Sequence, residues 1–346
     1  MKHILKIFTL SALTLSAVLA KDVIITIPTP PAVPKVTTEI PKVVTVQGNQ
    51  TSSDYKTNEE ILKEFTAEKV VHFSNHVAPV TTEKKDDPNK IALVGDVKNG
   101  MVPAYLHAPL MAPSDIKQTL EKAGFTILAS YKIDRKGIAH SIVFTNDELI
   151  KAASKKGRGF AAVLHVTIDK KHKLVSITNP LYVLAAFMQK EYDEKLAKKT
   201  LVTLRENFTD LKNSPEKLKF RVLDHYQFMQ GMPKYSDMQV ISKAATAELL
   251  KRAHKSKKVL FEQKLLNGST LLGVKLSKRT SKFIKKTGYQ NAGLLPYPVL
   301  IEDGQAKILD PKYYIAIMYP MLKMSQFMTI ATVPGAIGKD VDRVFR

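Results

Sequence analysis

His225, Tyr226, Met229 and Met232 crowd one short stretch, His225–Met238, and are the residues of this chain best suited by type to hold a ligand. Thioether sulfur and imidazole are soft donors that suit Cu(I), so a soft-metal carrier is one reading of the cluster. Adaptable packing over a seam is the other, and the better one, because Met and aromatic side chains fill irregular gaps. Tyr182 and Tyr313 join the candidates because each follows a helix start, Asn179-Pro180 or Asp310-Pro311. Helix N-termini offer free N–H groups and partial positive charge to anions, although Asn and Asp also cap those donors. The candidate ligand-binding set is therefore His225, Tyr226, Met229, Met232, Tyr182 and Tyr313. No metal ligands and no cofactor are assigned.

Catalytic residues are not assigned either. The chain has no H-E-x-x-H, no G-x-S-x-G and no phosphate-binding glycine loop. Asp224, Asp237, Glu302 and Asp303 cannot be paired by spacing alone. Asp303 has a sufficient role in a turn, and Asp310 in a cap. His72 and His76 read as surface residues. Met321, Met324 and Met328 fall at i, i+3 and i+7, which predicts the core face of a helix.

The elements that must position these residues are clearest between Leu294 and Pro311. Asp303-Gly304 between alternating apolar positions is a strong hairpin signal, since the favoured two-residue turns need positive φ. Pro296 and Pro298 donate no backbone hydrogen bond, so their strand should begin at a sheet edge or a bulge. Asp310-Pro311 then starts a helix, the Asp as cap and the Pro at the first position. The same layout recurs from Phe160 to Pro180. Val166 matches Val299, Ile168 matches Ile301, Asp169 stands for Glu302, Ile177 matches Ile308, and Asn179-Pro180 replaces Asp310-Pro311. Tyr182 and Ala185 then match Tyr313 and Ala316. Matches in one structural order indicate duplication.

Taken in order, the chain opens with a basic stretch, a short apolar run and Val18-Leu19-Ala20, the pattern of a signal peptide over residues 1–20. Residues 21–100 read as a Pro-rich tether and irregular segment, with a short helix at 59–65 and a flexible loop at 81–89. The first module spans 101–212 and the second 220–346. Each reads β-α-β-β-α-β-β plus a trailing helix, a two-layer α+β unit with helices on one sheet face. Leu181 to Phe208 is expected to be mostly helical. No segment after the signal is apolar enough to span a membrane.

Cysteine is absent, which excludes disulfides, thiol catalysis and cysteine-ligated metal clusters. Stability must come from a core, and 44% hydrophobic residues can supply one. The formal net charge of +21 would suggest nucleic acid in a cytosolic protein. Export argues against that partner and for an anionic envelope component, although lysines scattered among acids also suit an ordinary solvated surface.

The strand beginning Leu294-Leu295-Pro296, the acidic turn, the strand ending in Asp310-Pro311 and the preceding Phe283–Gly288 helix resemble the bacterial domain-of-unknown-function family numbered 302. The first module looks like a more divergent copy, with Gly159-Phe160-Ala161-Ala162 where Leu-Leu-Pro would stand. The resemblance covers roughly Val102 to Pro320. It implies a small two-layer α+β fold in tandem and brings no established activity. Members often carry Cys after Leu-Leu-Pro; this chain has Tyr297, so no thiol or metal role carries over. The functional expectation is an exported, periplasmic, non-catalytic binding or accessory protein. Its rivals are an enzyme with a site between the modules and a copper carrier using the Met/His stretch.

Overall fold

The computed structural model describes residues 93–346. The signal peptide, the tether up to Ala92, the 59–65 helix, the 81–89 loop and both His72 and His76 lie outside the described residues. Met101–Pro103 (β1) and Tyr105–Pro109 (β2) come first. Pro113–Lys122 (α1) follows, with proline where the helix needs no donor. Thr126–Lys132 (β3) and Ala139–Thr145 (β4) form a hairpin whose turn is tied by Asp134, which accepts from Lys136 N and Ala139 N. Asn146 Oδ1 accepts from Leu149 N and starts Asp147–Ala153 (α2). A 3-10 turn at Gly159–Ala162 leads into Leu164–Asp169 (β5) and Leu174–Thr178 (β6).

Asn179 caps Pro180–Met188 (α3), its Oδ1 accepting from Leu181 N at 3.0 Å. The stretch from Leu181 to Phe208 is mostly helical, as expected, but in two helices that part here. Gln189 takes φ 55° and bonds back to Ala186 O, so Glu194–Asn207 (α4) starts afresh on an Asp193 cap. Lys212–Asn213 (β7), Lys217–Lys219 (β8) and a 3-10 turn at Phe220–His225 connect the halves.

The second half runs Gln239–Lys243 (β9), Thr246–Lys255 (α5), Val259–Lys264 (β10) and Thr270–Val274 (β11). A 3-10 turn at Thr280–Phe283 continues as Ile284–Thr287 (α6), and another occupies Tyr289–Asn291. Tyr297–Glu302 (β12) and Gln305–Ile308 (β13) turn about Asp303 (φ 51°) and Gly304 (φ 67°), the positive pair a type I′ turn requires. Asp310 Oδ1 then accepts from Lys312 N at 2.8 Å to start Pro311–Met318 (α7). Met324–Met328 (α8) and Val333–Asp342 (α9) complete the chain.

All the pairing is antiparallel. One sheet has the order β3-β4-β5-β6-β2-β7 and the other β10-β11-β12-β13-β9, while β1 and β8 make a small ribbon. Leaving out β7, the two orders are the same when elements are counted from the start of each half. The fold is thus α+β, with one strand topology used twice. All described residues belong to one compact unit. In each half a helix, α1 or α5, packs on the sheet, its inward residues Ile116 and Leu120, or Leu249 and Ala253, fully buried.

Two local expectations change. β12 lies inside its sheet, with β11 on one side and β13 on the other. Pro296 precedes the strand, and Pro298 is tolerated because pairing with β13 begins only at Leu300, which leaves a free flank along Tyr297–Val299. The methionine stripe is not a core face. Met321 stands before the five-residue α8 and is 58% exposed. The helix begins only at Met324, so the spacing from Met321 has no helical meaning.

The two caps make a test of the shared design. Asp310→Ala removes the bond from Lys312 N and a part-buried bond from Gln239 Nε2, and should cost about 0.5–2 kcal/mol. Asn179→Ala should cost more, because Asn179 Nδ2 also donates to Gly95 O and Pro103 O, both at 2.8 Å, in buried surroundings. Urea denaturation of the two variants reads the ranking directly.

Candidate functional site

Side chains alternate across a strand, so each sheet has a second face turned away from its helices. In the first sheet that face carries Tyr105 and His107 on β2, Ser141 on β4, His165, Thr167 and Asp169 on β5, and Ser176 and Thr178 on β6. Such a polar row is ordinarily solvated. Here it is covered by the other half. The turn Tyr289–Asn291 packs across β5 and β6. Ser141 Oγ donates to Leu295 O at 2.6 Å, and the Tyr105 hydroxyl donates to Met318 O at 2.7 Å and Asn291 O at 3.1 Å. Gly293 sits so close that a Cβ there would lie 2.9 Å from Thr178 Cγ2 and 3.0 Å from Tyr105 Cε1.

The arrangement is reciprocal. The first half's Gly159–Ala162 turn packs on β11 and β12, and a Cβ on Gly159 would collide with Leu300 Cδ1. Gly157 N donates to Glu302 Oε1 at 2.9 Å, and Gly157 O accepts from the Tyr235 hydroxyl at 2.7 Å. Each half therefore lays the segment before its fifth or twelfth strand over the other half's sheet.

The chemistry of the two faces differs. Across the first sheet, cross-strand pairing aligns Ser141, Thr167, Ser176 and His107. The corresponding row of the second sheet is Leu271, Leu300, Lys307 and Val240. Duplicated backbones would serve packing equally well with apolar rows on both sides. Only the first has a polar row, and among the described residues Thr167 Oγ1, Ser176 Oγ and His107 Nε2 meet no hydrogen-bond partner. Burial lowers the His107 pKa, against the opposing pull of Glu216 and Asp169. His107 and Ser176 are direct cross-strand neighbours but are not bonded to each other, so no nucleophile–base pair is formed. His165, deeper in the same face, is pushed down to about 3 by burial and is a neutral ring. Asp169 is occupied by Lys171 N, His172 N and His172 Nδ1.

Next to this row lies a cavity of about 140 Å³. Its polar lining comes from the connection and the second half: Glu216 from the connection, Gln290 and Asn291 from the covering turn, Tyr319 from the end of α7, with Thr287 and Gln326 beside them. Asn291 Nδ2 donates to Glu216 Oε1 at 2.6 Å. That bond fixes the amide so that Asn291 Oδ1 is the free end. Glu216 Oε2, Asn291 Oδ1, Gln290 Oε1 and the Tyr319 hydroxyl, which lies beside Thr287, meet no partner of normal geometry among the described residues. Glu216, Asn291 and Tyr319 are more than nine-tenths buried. Leu322 and the exposed Met321 form the apolar side of the opening. A larger depression of about 290 Å³ at the start of α2 is a weaker candidate. Two of its polar groups are already matched, Asn146 by Leu149 N and Glu148 by Lys199 Nζ.

Of the residues singled out from sequence, Tyr182, Tyr226 and Tyr313 come together in an aromatic cluster between the halves, the Tyr226 and Tyr313 rings 6.2 Å apart. The Tyr182 hydroxyl donates to Ile317 O at 2.6 Å. Met232 is buried, whereas His225 and Met229 are exposed, so the Met/His stretch is split between core and surface. His225 pairs with its neighbour Asp224. The described residues contain no cluster of three His, Asp or Glu arranged to hold a metal. The helix starts at Asn179 and Asp310 use their caps on backbone donors. Sequence reasoning missed Glu216, Gln290, Asn291 and Tyr319, which carry no motif. The signal available was His165-Val166-Thr167-Ile168-Asp169 and its unlike partner Pro298-Val299-Leu300-Ile301-Glu302, one polar alternation set against one apolar run.

No family model, curated protein or solved structure matches the chain.

His165 gives a pH test of how tightly the seam is closed. Its folded pKa is depressed below the usual 6.5, so on acidification the unfolded chain takes the proton first. The contribution is complete above about 6.5 and is lost as pH falls toward about 3, by at most about 1.4 kcal/mol for each pH unit. His165→Gln should flatten that part of a stability-against-pH curve measured by urea denaturation.

Proposed function

We propose that this chain is an exported, periplasmic binding protein that holds a small hydrogen-bond-donating ligand at the seam between its two α+β halves. The observation that carries the proposal is the set of buried acceptors around the Glu216 cavity. Native interiors match nearly all buried polar atoms, and each unmatched group costs about 1–3 kcal/mol. Several beside one opening, contributed by the connection and the second half, are what a binding site for a donor-rich ligand requires.

A non-catalytic role fits the same geometry. His107 and Ser176 are the seam's best acid–base and nucleophile pair, and they are not hydrogen-bonded. A copper-carrier role finds less support, since His225 and Met229 face outward while Met232 faces in. The proposal keeps the likeness to the family numbered 302, which rests on Leu294-Leu295-Pro296, the acidic turn and Asp310-Pro311. It also keeps export, which rests on residues 1–20 and is consistent with an absence of cysteine. A charge of +21 suits residence near anionic headgroups or wall polymer.

Two measurements test this. N-terminal sequencing of protein taken from the cell envelope should begin at Lys21; a start at Met1 overturns the export claim. Native mass spectrometry of the same material should show a retained small-molecule adduct. The adduct should be lost in Glu216→Gln while Tyr131→Phe, on the outer edge of the first sheet, keeps it. Absence of any adduct in the unaltered protein, with no thermal shift from a library of small polar compounds, would count against a binding role.

A further inference from the structure

We infer that the Glu216 cavity is a receptor for a primary ammonium group on a short alkyl stem. This rests on the binding role proposed above and specifies its ligand class. Three of the four unmatched atoms are oxygens that can only accept: Glu216 Oε2, Asn291 Oδ1 and Gln290 Oε1. The ligand must therefore bring donors. An ammonium has three donors and no acceptor, which suits a lining whose unmatched atoms are chiefly acceptors. The Tyr319 hydroxyl can accept or donate beside it.

Charge points the same way. Glu216 makes no ion pair with any described lysine or arginine, although the chain carries 53 of them. Its Oε1 is held by a neutral amide, and its Oε2 is buried without a partner in a residue that lines the cavity. A buried carboxyl group gains most from a cation that also hydrogen-bonds to it. The corresponding seam of the second half shows the contrast: Glu302 there is matched on both oxygens, by Gly157 N and by Lys307 Nζ at 3.1 Å. One acid has its cation built in; the other meets an opening.

The lining argues for an organic cation over an inorganic one. Calcium and magnesium take six or more oxygens, usually with more than one carboxylate or retained waters. A single carboxyl group and two amide oxygens fall short of that. The mouth is flanked by Leu322 and by the thioether of Met321, surfaces for a hydrocarbon stem rather than for a hydrated ion. A volume of about 140 Å³ admits the ammonium end and a few methylenes.

Isothermal titration calorimetry of the mature protein with 1,4-diaminobutane tests the inference. A protein of this net charge repels cations in general, so saturable one-to-one binding of a diamine marks a specific site. Butyltrimethylammonium, which brings the same charge and stem without N–H donors, should bind at least tenfold more weakly. Glu216→Gln should weaken diamine binding at least tenfold. Because that side chain is buried, Met321→Arg serves as a second variant: it lies at the exposed rim, should leave the thermal unfolding curve unchanged, and should likewise weaken binding tenfold or more. Equal binding of the quaternary amine, binding of potassium or calcium alone, or no saturable heat from any cation each overturns the ammonium assignment. If the envelope adduct is still retained and lost in Glu216→Gln, the binding role stands and only the ligand class falls. If both measurements are negative, the two fall together.

Discussion

The C-terminal end of α7 is buried against the other half of the molecule, and a helix end so placed needs donors for its last carbonyls. Three tyrosines supply them. Tyr182 from α3 reaches Ile317 O, Tyr105 from β2 reaches Met318 O, and Tyr226 from the connection lies at the limit of bonding to Ala316 O, 3.5 Å. Tyrosine suits the task because the ring fills the interface while the hydroxyl serves the backbone. Burial pushes the pKa of Tyr105 and Tyr182 well up, so both hydroxyls keep the proton they donate. Removing either half would leave these groups unmatched. The two modules are therefore one folding unit in energetic terms, whatever their shared topology says about origin.

The corresponding helix end in the first half is finished differently. By position Ala186 O corresponds to Ile317 O and Tyr313 to Tyr182. Ala186 O accepts from the side chain of Gln189, whose positive φ also breaks the helix there. The Tyr313 hydroxyl is left without a partner among the described residues. The same departure from equivalence separates the two sheet faces. Leu271 and Leu300 bury an apolar row under one covering turn, while Ser141, Thr167 and Ser176 bury a polar row under the other. One strand order thus carries two different rows, one polar and one largely apolar. The polar face, the half-matched Glu216 and the cavity all lie on one side of that division.

Much of the framework was legible in the residues. Asp303-Gly304 set a hairpin, Asn179-Pro180 and Asp310-Pro311 set helix starts, and the alternation on both sides of each set paired strands. These are local signals with local causes. What failed depended on contacts distant in sequence. The alternation of β5 predicts a solvated polar face, because nothing in Leu164–Asp169 reveals that Tyr289–Asn291 will cover it. Glu216 looks like any surface acid beside Lys217. The spacing of Met321, Met324 and Met328 had a helical meaning only if one helix held all three, and the helix begins at Met324. The candidate site is built from residues whose neighbours are 75 to 213 positions away, and such pairings have no motif.

Those pairings also set the energetic character of the site. Glu216 Oε2, Asn291 Oδ1 and the Tyr319 hydroxyl are all withdrawn from bulk water without a protein partner, each at a cost of about 1–3 kcal/mol. A domain is stable by only about 5–15 kcal/mol, so several such groups in one place are a considerable local burden. The burden lies where the two halves meet, around a turn held by Asn291 O and by the amide bond to Glu216. A ligand that donates to these oxygens removes part of it, and any species bound only by the folded state raises stability with its concentration. Binding and closure of the seam are therefore linked. In a chain without cysteine no disulfide can hold the halves together, and the matched tyrosines of the α7 end maintain the closed arrangement beside the cavity.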